Sequence, residues 1–161
     1  MKRTLVACAV VSAVAAAGPP VAAQTGGALL DVPAASGDWV LEITTRGGIM
    51  GQGAGEIVIA SNGRVACGGT KPRCPAAIAA ESLRSLRDQV RLAAVAPWQV
   101  LRGSTICSDC QTTTLVLTSR NADGTLTTTH AAWDPTTRAK LSAEVVRVYD
   151  IAARLAQPLT R

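Results

Sequence analysis

Histidine is the side chain most often used for acid–base catalysis, and this 161-residue chain has a single one, His130. A hydrolytic triad needs a base close to a nucleophile and to an orienting acid, and no spacing in the sequence sets a serine and an aspartate beside His130. The residue ends a run of three threonines in a β-prone stretch, where alternation puts it on the same side as Leu126 and Thr128. Common catalytic zinc sites use two or three histidines. We therefore expect a surface or half-buried strand histidine.

The most distinctive segment is rich in glycine and runs from Gly47 to Gly55. A phosphate-binding loop needs a helix directly after its glycines, whereas a strand-like sequence, Glu56–Ile59, follows here. The glycines favour a long, irregular hairpin connection, because they accept positive φ and allow close strand approach. Two sizeable apolar residues among them predict a contact with another protein. The candidate partner-binding residues are Gly47, Gly48, Ile49, Met50 and Gly51.

Residues 1–23 have the pattern of a secretory signal. Two basic residues precede an apolar run, Leu5–Ala17, that is too short to span a bilayer stably, and small residues precede a predicted cleavage after Ala23. The stretch Leu5–Cys8 resembles a lipobox, but its cysteine stands in front of most of the apolar run, so cleavage after Ala23 is preferred. We expect an exported protein, periplasmic or extracellular, without a membrane span once the signal is removed.

Four cysteines follow the signal: Cys67, Cys74, Cys107 and Cys110. Cys107 and Cys110 have the CxxC spacing of redox motifs, but such motifs stand at a helix N-terminus that lowers the pKa of the first thiol, and a β-prone sequence follows here. The spacing of Cys67 and Cys74 fits a zinc site poorly. An even number of cysteines in an exported chain predicts two disulfides, with three possible connectivities. The local pairs, Cys67 with Cys74 and Cys107 with Cys110, are our first prediction.

Alternation and turn residues predict five strands. In the first, Trp39, Leu41 and Ile43 share one side. Asn62 and Gly63 predict a type I′ turn between the second and third strands, and 121–124 has turn chemistry as well. The predicted strands are 38–44, a strand carrying Ile57 and Ile59, Arg64–Cys67, Gln111–Arg120 and Thr125–Trp133.

Two amphipathic segments predict helices. The first runs from Pro75 to about Val95, and the second opens at Asp134 and Pro135, which suit an N-cap and the first helical position. On the second, Asp150 and Arg154 have the spacing of a weak i,i+4 ion pair. The predicted buried residues are Ala79, Leu83, Leu86, Val90 and Ala93 or Ala94 on the first helix, and Leu141, Val145, Val148, Ala152 and Leu155 on the second.

The order of elements is therefore β-β-β-α-β-β-α. Strands joined by hairpins favour an antiparallel sheet, so the sequence predicts an α+β fold with about five strands and two helices packed on one face. The predicted organisation is a signal (1–23), a flexible lead-in (24–37), a single domain (38–157) and a short tail (158–161).

One known family has a similar arrangement. The first strand runs into Arg46-Gly47-Gly48-Ile49-Met50-Gly51, and an Asn-Gly hairpin, a Leu-rich helix, a Thr-rich strand and a closing helix follow. This order resembles the emfourin-type family of small bacterial proteins, whose first strand likewise enters a Gly-Gly-x-x-Gly turn, here Gly47, Gly48 and Gly51. The resemblance covers most of 38–156 and implies inhibition of a thermolysin-like metallopeptidase. This chain departs from the family in its export signal and its four cysteines.

These observations lead to an expected function. We expect a non-enzymatic protein without a cofactor or bound metal that binds another protein, either a peptidase or an envelope protein. Only four residues are aromatic and the charge of +5 includes two basic residues of the signal, so nucleic acid is not an expected partner. One alternative is an envelope-associated structural or accessory protein without a dedicated site. Another is an enzyme that uses His130 or a Cys107/Cys110 redox pair.

Overall fold

The structure, a computed structural model, describes residues 38–48, 55–68, 74–101 and 110–157. The predicted signal, lead-in and tail lie outside these ranges. So do three of the candidate partner-binding residues, Ile49, Met50 and Gly51, and one of the four cysteines predicted to form disulfides, Cys107.

The described chain forms one antiparallel sheet of five strands. Their order across the sheet is β3-β2-β1-β4-β5, so β1 is central and pairs with both β2 and β4. The strands are β1 (Trp39–Gly47), β2 (Gly55–Ala60), β3 (Val65–Gly68), β4 (Gln111–Arg120) and β5 (Leu126–Trp133).

Two helices pack on one face of this sheet, α1 (Ala80–Ala94) and α2 (Ala143–Leu155). Their buried residues form one core with the residues of a single side of the strands, as strand alternation requires. The prediction of an α+β fold in the order β-β-β-α-β-β-α is confirmed. The central core residues are Trp39, Leu41, Ile43, Ile59, Leu115 and Leu117 from the sheet, Leu83, Leu86 and Val90 from α1, and Val145, Val148 and Ala152 from α2.

Helix α1 begins at Ala80, and the prediction that it starts at Pro75 is wrong. The backbone N–H of Val65 donates to the Ala76 carbonyl at 3.1 Å, and the N–H of Ile78 donates to the Gly63 carbonyl at 2.8 Å. The residues before the helix therefore lie extended along the outer edge of β3. A backbone group that bonds to a strand is not free to form the first turn of a helix.

The turn between β2 and β3 also differs from its prediction. A type I′ turn needs positive φ at both Asn62 and Gly63, but only Gly63 has it, at 87°. The Gly63 N–H donates to the Ala60 carbonyl at 2.8 Å, and the Asn62 Oδ1 accepts from the Arg64 N–H at 3.0 Å. The connection is therefore a three-residue loop that ends in a glycine bulge, in which Asn62 keeps an ordinary backbone conformation.

Asp134 and Pro135 do not open α2 as predicted. The buried carboxylate of Asp134 accepts from the N–H and hydroxyl of Thr136 at 2.8 and 2.6 Å, and from Thr137, so it closes a turn ahead of a single-turn 3-10 helix, Arg138–Lys140. Helix α2 begins later, where the Ser142 hydroxyl accepts from the Val145 N–H at 3.4 Å. The residues predicted to be buried on α2 are nevertheless the ones that face the core, with Leu155 half-buried.

Candidate functional site

The glycine segment leaves the sheet from its middle strands. Gly47 ends β1 and Gly55 begins β2, while Gly68 ends β3 and Gln111 begins β4 beside them. Because the strands are antiparallel, all four residues lie at the same end of the sheet. We call this end, defined by Gly47, Gly48, Gly55, Gly68, Cys110 and Gln111, the hairpin end.

The glycine segment begins at Gly47 and ends at Gly55, and we call these two residues its stems. Both lie close to neighbouring backbone. Gly47 has a φ of 90° and Gly55 a φ of 101°, which other residues rarely adopt. A β-carbon on Gly47 would lie 3.0 Å from the Cys110 carbonyl oxygen, and one on Gly55 would lie 2.7 Å from the Gly68 carbonyl oxygen. Both predicted uses of glycine, positive φ and close approach, are therefore present where the segment leaves the sheet.

Disulfide-bonded residues flank both stems. Cys67, next to Gly68 in β3, is bonded to Cys74 with 6.1 Å between their α-carbons, which is one of the two predicted local pairs. Cys110, whose carbonyl would contact a β-carbon on Gly47, is disulfide-bonded as well. A disulfide restricts the conformations of the chain it closes, so the chain beside each stem is constrained by a covalent cross-link.

A cleft of about 350 Å³ lies beside the hairpin end. Its side nearest the glycines is the Gln111 side chain, whose Nε2 would contact a β-carbon on Gly48 at 3.3 Å. On the far side Trp133 and Tyr149 meet edge to face with 5.0 Å between ring centroids, and the Arg138 guanidinium lies 5.4 Å from the centre of the Tyr149 ring. The cleft is lined by Thr45, Gln111, Thr113, Trp133, Pro135, Arg138 and Tyr149.

The charged pair in this region is not the one predicted. The Asp150 carboxylate forms its ion pair with Arg138, from the 3-10 helix, and both side chains are about two-fifths exposed. Arg154 instead donates from Nε to the backbone carbonyl of Asp150 at 3.1 Å. Arg138 thus links Asp150 to the cleft, a role that sequence spacing does not indicate, because the two residues belong to different elements.

His130 lies on β5, exposed and opposite Val116. Its ring makes no hydrogen bond with any residue of the described ranges. Within the same ranges, no group of three or more His, Cys, Asp or Glu side chains is placed to hold a metal ion.

Glu42 is a perturbed group that sequence reasoning missed. It projects from the centre of the sheet on the face opposite to both helices, between Val58 of β2 and Val116 of β4. Burial raises the pKa of its carboxyl, and the nearby Glu56 carboxylate raises it further. The available signal was the alternation of β1 itself, which puts Glu42 on the face opposite to Leu41 and Ile43; its position between two valines depends on which strands are neighbours.

The chain matches no protein-family model, and it has no significant match among curated proteins or solved structures. Of the helices that the structure describes, none combines the length and the apolar character needed to cross a membrane. The geometry of the hairpin end is therefore the basis for a functional proposal.

Proposed function

We propose that this chain is an exported, non-enzymatic domain that binds another protein through the segment Gly47–Gly55, with the apolar side chains of Ile49 and Met50 as the principal contact. A peptidase is the partner class that we propose, in line with the emfourin-type resemblance. The observation that supports the proposal most is the close approach of both stems, Gly47 and Gly55, to neighbouring backbone.

The close packing of the stems matters because groups that are mobile in the free protein lose conformational entropy on binding, and this loss weakens the complex. Stems that pack closely against neighbouring backbone have fewer conformations to lose on binding. Here the neighbours are β3, closed by the Cys67–Cys74 disulfide, and the disulfide-bonded Cys110 before β4. Disulfides persist in oxidising compartments, so these bonds also support the proposal that the protein is exported.

The cleft beside the hairpin end extends the proposed contact. It combines an apolar wall, Trp133, with the polar side chains of Gln111 and Arg138. A protein interface typically places a few buried apolar anchors inside a polar rim. The two apolar residues of the glycine segment would act as the anchors, and the cleft would supply the adjacent polar contacts.

An inhibition assay tests this proposal. Purified metallo-, serine and cysteine peptidases are titrated with the oxidised protein while cleavage of a peptide substrate is followed. We expect one class to be inhibited, and the double variant I49S/M50S to raise the inhibition constant by at least about a hundredfold, since burial of each side chain contributes about 1.5 to 3 kcal/mol and about 1.4 kcal/mol corresponds to a factor of ten.

The matched control is L92S/V95S, which removes two exposed apolar side chains on and just after α1. We expect it to inhibit like the unaltered protein. The thermal midpoints of both variants should stay close to that of the unaltered protein, because Leu92 and Val95 are exposed and the proposal assigns Ile49 and Met50 to a surface contact. Inhibition that survives I49S/M50S would place the contact elsewhere, and the absence of binding to any peptidase would refute the proposed partner class.

A further inference from the structure

Among the residues that the structure describes, the outer edge of β5 is only partly covered. On one side β5 pairs with β4, and on the other the segment 99–101 bonds to it at Ala132 alone. There the Ala132 N–H donates to the Gln99 carbonyl at 3.2 Å, and the Leu101 N–H donates to the Ala132 carbonyl at 2.7 Å. In an antiparallel ladder alternate residues bond to the neighbouring strand, so these two bonds identify which residues of β5 direct their backbone outward.

Leu126, Thr128 and His130 share the alternation of Ala132 and therefore direct their N–H and C=O groups away from β4. These groups have no partner among the described residues. All three residues are exposed, and Leu126 retains 53% of its surface. Unpaired strand edges of this kind bind another strand readily, because the incoming chain satisfies every outward-pointing group.

This edge also lacks the usual protection. Proteins blunt a free edge with lysine, proline or a bulge, and none of these occurs in β5, whose sequence contains three consecutive β-branched threonines. The opposite edge of the sheet differs, because the Val65 N–H in β3 is bonded to the Ala76 carbonyl. Of the two edges, only that of β5 presents a run of three outward-facing residues without a partner in the described chain.

We propose that a second copy of this chain docks on the edge of β5, antiparallel to it, so that the two sheets form one continuous sheet. Pairing centred on Thr128 sets this residue opposite Thr128 of the second copy and Leu126 opposite His130 of the second copy. The two-fold arrangement satisfies the outward groups of both strands at once, with about six main-chain hydrogen bonds.

The absence of charged residues in β5 and the register open to an incoming strand favour a second copy of the chain on this edge. β5 carries no Asp, Glu, Lys or Arg, so self-pairing opposes no like charges, and facing threonines are a favourable cross-strand pair. A shift of the register towards Ala132 is blocked, because the segment 99–101 already occupies that position. The free stretch lies towards the start of β5, away from the hairpin end, so the pairing does not depend on the proposed function and leaves the glycine segment accessible.

The test introduces a positive or a negative charge at Thr128. Sedimentation of the oxidised protein over a range of concentrations should show a monomer–dimer equilibrium. The variants T128K and T128E each set like charges directly opposite one another in place of a favourable threonine pair, and we expect each to weaken the dimer by about threefold to tenfold. An equimolar mixture of the two should dimerise again, because lysine then faces glutamate. The control T128V keeps the β-branched shape and the backbone bonds, and it should dimerise like the unaltered protein.

A measurement without variants gives a second test. The amide protons of Leu126, Thr128 and His130 should exchange with solvent more slowly as the protein concentration rises, while the amide of Asn121 in the nearby turn should not change. A monomer at all concentrations, a dimer that tolerates both charges, or loss of the dimer without recovery in the mixture would each overturn the proposal.

Discussion

The carbonyl oxygen of Gly68 lies where a β-carbon on Gly55 would come within 2.7 Å of it. This is closer than a carbon and an oxygen approach without repulsion, so the first residue of β2 has to be glycine for β3 to keep its position. The contact ties the glycine segment to the strand that carries the Cys67–Cys74 disulfide. A change at Gly55 should therefore affect the fold and the proposed binding site together.

The variant Gly55→Ala should be strongly destabilised. A left-handed φ costs an alanine about 1 to 2 kcal/mol, and the overlap with Gly68 adds about 1 to 3 kcal/mol more. Gly124→Ala is the matched control, because Gly124 also has a positive φ, 84°, with nothing within 4 Å of a β-carbon. Denaturant unfolding of the two oxidised variants separates the cost of the positive φ from the cost of the overlap with Gly68. Equal losses of unfolding free energy would show that the contact with Gly68 costs nothing.

Removal of the Cys67–Cys74 disulfide should also destabilise the protein. The bond closes a short loop, and loop-closure entropy predicts a loss of about 2 to 3 kcal/mol. The double variant C67S/C74S avoids a free thiol and leaves Cys110 unaltered. Chemical unfolding should show the loss under oxidising conditions, and reductant should destabilise the unaltered protein at least as much, since Cys110 is also disulfide-bonded. Equal midpoints for the variant and the unaltered protein in oxidant would contradict the structural role of the bond.

Much of the fold could be predicted because its core follows simple periodicities. The alternation of Trp39, Leu41 and Ile43 identified the inner face of the central strand, and spacings of three and four identified the inner faces of both helices. The exception is Ala79, which was predicted to be buried but is exposed and precedes α1. The errors lie at the ends of elements. The start of α1 was misplaced because Ile78 bonds to Gly63 of a distant turn, a tertiary contact that no local pattern reveals.

The candidate site was less predictable for the same reason. The glycines indicated positive φ, and the structure shows it at Gly47 and Gly55. The contact of Gly47 with Cys110 depends on which strands are neighbours, and so does the choice of Arg138 as the partner of Asp150. Sequence spacing pointed to Arg154 because it records only neighbours on one helix.

The Glu42 carboxyl should make stability depend on pH. Its pKa is raised by burial and by Glu56, so the folded state binds a proton more tightly than the unfolded state. The stabilisation is complete below the ordinary value of 4.5 and is lost as the pH rises through the folded pKa. Glu42→Gln should therefore raise the thermal midpoint at pH 7 and change it little at pH 4, with Glu81→Gln, on the exposed side of α1, as the control. An equal effect of Glu42→Gln at both pH values would contradict the assignment.

The Asp134 carboxyl should make stability depend on pH in the opposite direction to Glu42. The Thr136 hydroxyl, the Thr137 hydroxyl and the backbone N–H groups of both threonines hold the pKa of its carboxyl below 3.8. Stability from the charged form is therefore present above 3.8 and is lost as the pH falls through the folded pKa. Asp134→Asn can keep the Oδ1 acceptor that receives all of these bonds but removes the negative charge that strengthens them. It should therefore lower the thermal midpoint at pH 7, and the gap to the unaltered protein should narrow towards pH 3. Asp123→Asn is the appropriate comparison, because that carboxyl makes similar bonds to Thr125 in an exposed turn. A smaller effect there would show that the buried turn ahead of α2, and not the Asp-Thr motif alone, gives Asp134 its importance.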